Sequence, residues 1–294
     1  MQTKKKINPY LYIIPAFSIL FIFKFYPMFK TFAMAFYTKF DYLSDTVYQT
    51  GTDNFNFVLN DPEFFIAVKN SIIYALISVP LGILVGLIFA IMLNSITKLS
   101  KFFRSIYFLP FVTSSAAVSI IWRWMLNKDF GIINNILMFF NISKVDWLGN
   151  PSKTLPILII LSVWKGLGYK IIVLLASLQN VDENLIKQSR IDGASTFERI
   201  RYVVIPTLKP SIIFLAITGL IGSLKLFDEV YIMYQQKPGP FQSGLTMVYY
   251  VFTKFYRYWE FGNASAAAVL LFLIIVIITI LQSVFLRLRR DDGE

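Results

Sequence analysis

Residues 183–210 read ENLIKQSRIDGASTFERIRYVVIPTLKP, with Asp182 just ahead of them. Eight charged side chains fall within this stretch: Glu183, Lys187, Arg190, Asp192, Glu198, Arg199, Arg201 and Lys209. Long apolar runs lie on both sides of it. Hydrocarbon offers no water to solvate such charges, so the segment has to project from a membrane rather than cross it. Asn184 to Ile191 suits a short amphipathic helix closed by Asp192-Gly193, because glycine enters the left-handed backbone that ends a helix without a Cβ penalty. Pro206 and Pro210 are expected to mark where the chain turns back into the bilayer.

The surrounding composition agrees. Of 294 residues 56% are hydrophobic and only 15% charged, against about a quarter charged in soluble domains. Neither Cys nor His occurs, which excludes disulfides, thiol nucleophiles, haem ligation and His-based zinc or general-base chemistry. The formal charge of +11 does not point to nucleic acid, because the basic residues gather at the ends of apolar runs. Lys4-Lys5-Lys6 followed by an apolar run resembles a signal peptide. The run continues through Lys24 and Tyr26-Pro27 with no small-residue cleavage site, which predicts a retained first helix.

About 20 mostly apolar residues cross the roughly 30 Å of bilayer hydrocarbon. Six stretches qualify: Tyr10 to Pro27, extensible towards Phe36; Ser71 to Leu93; Ser105 to Met125; Leu155 to Leu178; Ser211 to Met233; and Ala264 to Leu286. Polar loops are expected from Tyr37 to Glu63, Asn127 to Lys153 and Tyr234 to Gly262, with a short basic connection from Ser95 to Arg104. The expected fold is an all-α polytopic membrane protein of six transmembrane helices, a single membrane domain spanning residues 1–294. Lys4, Lys5, Lys6, Lys98, Lys101, Arg104, Lys187, Arg190, Arg199, Arg201, Lys209, Arg287, Arg289 and Arg290 all fall on one side of these spans. The excess of bases over acids there predicts that both termini and residues 183–210 are cytoplasmic.

The polar stretch resembles the cytoplasmic loop of binding-protein-dependent ABC importers, whose pattern is EAA, three residues, Gly, nine residues, I-x-L-P. Lys187-Gln188-Ser189 stand at the EAA positions, Gly193 at the glycine, and Val203, Ile205 and Pro206 at the closing motif. Ile191-Asp192-Gly193-Ala194 and Pro206-Thr207-Leu208-Lys209-Pro210 are similar to the sugar-permease version. Lys187 replaces the usual carboxylate, so the salt bridge that the family makes through that carboxylate is not expected in the same form, and the substitution fits one half of an asymmetric pair of permeases. The resemblance covers nearly the whole chain, including Asn54-Phe55 to Asn70, Leu109-Pro110 and Phe227-Asp228 onward. It implies the ABC type I importer permease fold, a second similar permease, an ATPase dimer and an extracytoplasmic solute-binding protein. It also implies that closure of the ATPases drives the pathway from inward to outward facing. Residues 183–210 would be the coupling loop, with Asn184, Leu185, Ile186, Lys187, Gln188, Ser189, Asp192, Gly193 and Ala194 meeting the ATPase, and Leu185 and Ile186 entering its groove.

The chain holds no G-x-x-x-x-G-K-[ST] phosphate loop; Gly149 to Thr154 lacks both the spacing and the second glycine. ATP is therefore expected to be used by a partner ATPase, with no cofactor bound by this chain. Three constellations are candidates for the solute path: Trp164, Lys165, Gly166, Tyr169 and Lys170; Lys225, Asp228 and Glu229; and Phe111, Thr113, Ser114 and Ser115. Lysines inside a span are costly unless they meet water or a carboxylate, and Lys225 and Glu229, four apart, are expected to pair on one helix face. Aromatic faces that stack on sugar C–H surfaces, together with groups that bond hydroxyls, suit a carbohydrate. The resemblance to maltose-type permeases points to Phe111, Ser115, Gly166, Tyr169 and Glu229. Gly222 and Leu226 stand where that family has polar contacts.

Other readings stay open at this level. Asp228 and Glu229 also fit the outer interface, and Lys165 and Lys170 also fit structural pairing or snorkelling. An ion-coupled secondary transporter would need paired broken helices and usually more spans. A membrane enzyme would have to work with carboxylates such as Asp228 and Glu229.

Overall fold

The computed structural model describes residues 10–41, 44–94 and 100–291. Lys4, Lys5, Lys6 and Lys98, used above for orientation, lie outside them. In chain order, α1 (Tyr10–Leu20) and α2 (Tyr26–Met34) are followed by a hairpin of β1 (Tyr37–Asp41) and β2 (Thr46–Thr50), then α3 (Asp53–Asn60), α4 (Pro62–Asn94), α5 (Ser100–Val112), α6 (Ser115–Met125) and α7 (Ile132–Phe139). After these come α8 (Pro151–Leu178), α9 (Glu183–Ile191), α10 (Thr196–Arg199), α11 (Ile205–Ser223), α12 (Asp228–Met233), α13 (Met247–Phe252) and α14 (Phe261–Asp291).

Five helices among the described residues are long and apolar enough to cross a membrane: Tyr12–Met34, Pro62–Asn94, Pro151–Leu178, Thr196–Ser223 and Phe261–Val284. Ile106–Val112 and Ser115–Met125 together make a sixth candidate, bent by 108°. Two expectations are corrected here. The stretch Ser105 to Met125 is two helices, because Ser114 leaves the helical backbone and caps α6, accepting a hydrogen bond from the Ala116 amide at 3.3 Å. The stretch Ser211 to Met233 is also two, since α11 stops at Ser223 and α12 begins at Asp228.

Pro206 does not turn the chain. Helix runs on from Thr196 to Ser223 through a π turn at Ile200–Val204, where the Ile205 amide donates to the Ile200 carbonyl five residues back. A proline ring crowds the carbonyl four residues earlier, and the widened turn makes room for it. The same device, Phe21–Phe25 with Tyr26 donating to the Phe21 carbonyl, precedes Pro27.

The described residues form two compact units. One comprises residues up to 64 together with 250–273. Within the loop expected between Tyr37 and Glu63, β1 pairs antiparallel with β2, and Asn54 donates to the Ala35 and Tyr37 carbonyls at 3.0 and 2.9 Å. Lys254 is buried, its ammonium 3.0 Å from Asp61 Oδ2 and 3.5 Å from Glu260 Oε2, with the rings of Phe57, Tyr250 and Tyr258 around it. The Tyr250 hydroxyl donates to Asp61 at 2.7 Å. Burial works against the Asp61 carboxylate, but the hydrogen bonds from Tyr250, Lys254 and the Glu63 amide, with the Lys254 charge, hold its pKa below the usual carboxylate range. Burial works against the Lys254 ammonium too, and Asp61 and Glu260 more than offset it, raising its pKa.

The other unit comprises residues 65–249 and those after 273. Its core joins α4, α8 and α11: Val79, Ile83, Ala90 and Leu93 meet Ile171, Leu174, Leu175 and Leu178, with Leu208 and Leu215. The α8 positions recur at i, i+3, i+4 and i+7, which is one face of a helix. Gly168 lets α5 approach α8 closely, since a Cβ there would stand 2.3 Å from the Tyr107 carbonyl oxygen. The polar loop from Asn127 also has structure. The buried Asn134 amide donates to the Lys128 and Val145 carbonyls at 2.9 Å and accepts from the Val145 amide and the Trp147 indole.

Candidate functional site

Two interrupted helices bring their broken ends to α8, with α5 and α11 packed on α8 and α12 packed on α6. Irregular backbone at membrane depth is tolerated where it lines a cavity or is buried in protein. At the first break, Thr113 donates its hydroxyl to the Leu109 carbonyl and Ser115 opens α6. At the second, Thr246 donates to the Leu226 carbonyl at 2.6 Å, giving a partner to a carbonyl in the break between α11 and α12. Between them lies a cavity of about 390 Å³ lined by residues of α4, α5, α8, α11, α12 and the second break, among them Tyr74, Ser78, Phe111, Ser162, Lys165, Gly166, Lys170, Gly222, Lys225, Leu226 and Glu229.

Lys165 is the polar hub. Its ammonium donates to Ser115 Oγ and lies 3.1 Å from Glu229 Oε1, so α8 is tied to the first turns of α6 and α12. The expected pairing of Lys225 with Glu229 is not formed. Lys225 sits in the break between α11 and α12, so the two residues share no helix face, and Glu229 is taken by Lys165 instead. Phe111 stacks on Tyr169 with ring centroids 5.4 Å apart and planes 17° from parallel, presenting an aromatic wall beside the hub.

Phe111, Gly166, Lys225 and Glu229 therefore line the cavity directly, while Ser115 and Tyr169 stand immediately behind the lining, bonded to Lys165 and stacked on Phe111. Asp228 is exposed at the start of α12 and is not part of the lining. Gly222 and Leu226, expected as departures from polar contacts, do face the cavity. Tyr74, Ser78, Ser162 and Ser223 line it and were not anticipated. The only signal for the first two was a pair of polar residues four apart in an apolar run.

The polar stretch between α8 and α11 is a corner whose helix ends are capped. Asp182 caps α9 by accepting from the Asn184 amide at 2.8 Å. At the other end Gly193, with φ of 79°, donates to the Arg190 carbonyl while Ala194 donates to the Ser189 carbonyl, the paired bonds of a Schellman ending. Ser195 and Glu198 then exchange capping-box bonds at the start of α10. Ile186 is half-buried and packs in part against the core of α4, α8 and α11, while Leu185 faces out. Ile191 is 85% exposed and Phe197 68%, so three apolar side chains stand on solvent at the corner.

Residues 78–291 match the family of binding-protein-dependent transport system inner membrane components. The chain belongs to this family. Lactose transport system permease protein LacF of Rhizobium radiobacter is 34% identical over 288 residues, 97% of this chain and 95% of the relative. Arabinooligosaccharides transport system permease protein AraP of Bacillus subtilis is 31% identical over 267 residues, covering 90% and 84%. In three dimensions the chain is similar to one from a bacterial ABC transporter involved in import of the acidic polysaccharide alginate, with a TM-score of 0.83, 23% identity and 95% and 94% coverage. The permease is thus a membrane component of a transport system and not an enzyme, and its fold is that of the ABC importer permeases.

Proposed function

We propose that this permease lines the translocation pathway for a carbohydrate in an ATP-driven importer. One observation carries the reading: a cavity at the meeting of two broken helices combines an aromatic wall, Phe111 on Tyr169, with the Lys165–Glu229 pair. Aromatic faces take the C–H surface of a sugar ring, and the charged pair exchanges hydrogen bonds with its hydroxyls. The naming of relatives as lactose and arabinooligosaccharide permeases supports the same solute class.

In this reading a binding protein delivers the solute from outside, a second permease completes the pathway, and an ATPase dimer, which alone uses ATP, grips the corner at α9. This chain binds no cofactor. Both termini and α9 lie on the cytoplasmic side, in keeping with the basic residues gathered there. The caps at both ends of α9 suit a lever, because a frayed helix would absorb motion rather than transmit it.

The test is uptake of radiolabelled oligosaccharide into proteoliposomes holding the complete complex and its binding protein. Entry is expected only with internal ATP and to cease when the ATPase subunits carry an inactivating substitution. Entry driven by an ion gradient without ATP would replace this reading with secondary transport.

A further inference from the structure

The charges around the cavity do not balance. Three lysines, Lys165, Lys170 and Lys225, line it against the single acidic lining residue Glu229, whose carboxylate is engaged by Lys165. Neither Lys170 nor Lys225 ion-pairs with a carboxylate among the described residues. Asp228 lies outside the lining. Lys170 lies within the Pro151–Leu178 span, where a charge is costly and marks a pathway unless something compensates it.

Lys170 is also deliberately housed. A Cβ added at Gly166 would meet its Nζ at 2.7 Å; one at Gly82 would meet Nζ at 3.0 Å and Cε at 2.9 Å; one at Gly86 would meet its Cβ at 3.0 Å. Three glycines, two on α4 and one a turn earlier on α8, thus hollow a channel through which the side chain reaches the cavity. Ser78, on the α4 face beside it, is 4% exposed; the residue lines the same cavity, and its hydroxyl is buried with no hydrogen-bond partner among the described residues. A buried hydroxyl left without a partner costs free energy until something accepts its proton.

Resting on the carbohydrate-import reading above, we infer that the solute is an acidic carbohydrate whose oxyanion is received by Lys170, Lys225 and the Ser78 hydroxyl, while its neutral ring surface lies on Phe111. A sugar carboxylate and a sugar phosphate present the same chemistry to these groups. A charge-assisted hydrogen bond is worth enough that losing one lysine costs about tenfold in apparent affinity or more.

The experiment uses the complete complex in proteoliposomes with three probes of one length: a neutral trisaccharide, its uronic-acid counterpart and its 6-phosphate. Variant-to-wild-type ratios of uptake for each probe keep the binding protein's own selectivity out of the comparison. Lys170→Met and Lys225→Gln are each expected to reduce uptake of one acidic probe about tenfold more than uptake of the neutral probe; the probe affected distinguishes carboxylate from phosphate. Lys225, exposed and outside any helix, keeps the test valid if Lys170→Met fails to assemble. Transport of the neutral probe alone, or equal losses for all probes, would overturn the acidic solute and leave carbohydrate import standing. Failure of all three probes to enter or to stimulate ATP turnover would remove both.

Discussion

Glu229→Gln isolates the contact on which the cavity's polar geometry depends. The Lys165 ammonium is 3.1 Å from Glu229 Oε1, and each side chain is 17% exposed. At an effective dielectric near 20 the gross attraction at that distance is roughly 5 kcal/mol. Desolvation of both partners offsets much of this. Exposed pairs contribute about 0–1 kcal/mol, whereas removing one partner of a buried pair costs about 3–5 kcal/mol. Residual solvation at this site puts Glu229→Gln at about 2–3 kcal/mol. Lys165→Met should cost less, because Glu229 faces an open cavity, and the double variant should recover part of the loss because no ammonium is left at position 165 without its carboxylate. A double-mutant cycle on unfolding of the purified chain in mixed micelles should give a coupling of about 2 kcal/mol. Solute-stimulated ATP turnover should stay low in all three variants. Additive stabilities in the cycle would refute the argument, as would normal turnover in Glu229→Gln.

Other outcomes follow from particular contacts. Gly193 has φ of 79° and nothing within 4 Å of an added Cβ, so only backbone strain matters there: Gly193→Asn should couple ATP turnover to transport nearly normally, while Gly193→Val, β-branched at positive φ, should uncouple it in the same proteoliposome assay. Gly168→Ala must push the Tyr107 carbonyl away from 2.3 Å and should cost about 1–3 kcal/mol, read as reduced yield and thermal stability of the complex. Asp61 titrates lower in the folded protein, so its contribution is present above about pH 4 and lost as pH falls through the folded value. Lys254 titrates higher, so its contribution is complete below about pH 10 and lost as pH rises through its folded value. Thermal stability should therefore fall at both extremes, and the alkaline fall should be shallower in Lys254→Met.

The corner at α9 was legible because its causes are local: a run of charges, a helix-length amphipathic segment and a glycine at its end. The breaks inside the third and fifth apolar stretches were not. Leu224-Lys225-Leu226-Phe227 contains neither glycine nor proline, and what stabilises the break is the hydroxyl of Thr246, 20 residues on. A hydropathy window reads this stretch as continuous, and the i, i+4 rule then wrongly pairs Lys225 with Glu229. The true partner, Lys165, is 64 residues away. Lys170 illustrates the same limit. Its cost was evident from its place in an apolar run, but the slot that receives it is cut by glycines on another helix, and Gly82 beside Pro80 reads only as a tolerated kink. Amphipathicity identifies an apolar side without saying which neighbour covers it, so it does not separate the exposed Leu185 from Ile186, which is half-buried against the core.

The central claim is that α9 is the handle by which a separate ATPase moves this permease. The chain has no cysteine, so Ile191→Cys gives a single, exposed attachment point for a maleimide photo-cross-linker on the assembled complex in membrane vesicles. The account predicts an adduct with the ATPase subunit, and labelling from the cytoplasmic side only. Labelling from outside the cell, or an intact complex in which that position never reaches the ATPase, would contradict it.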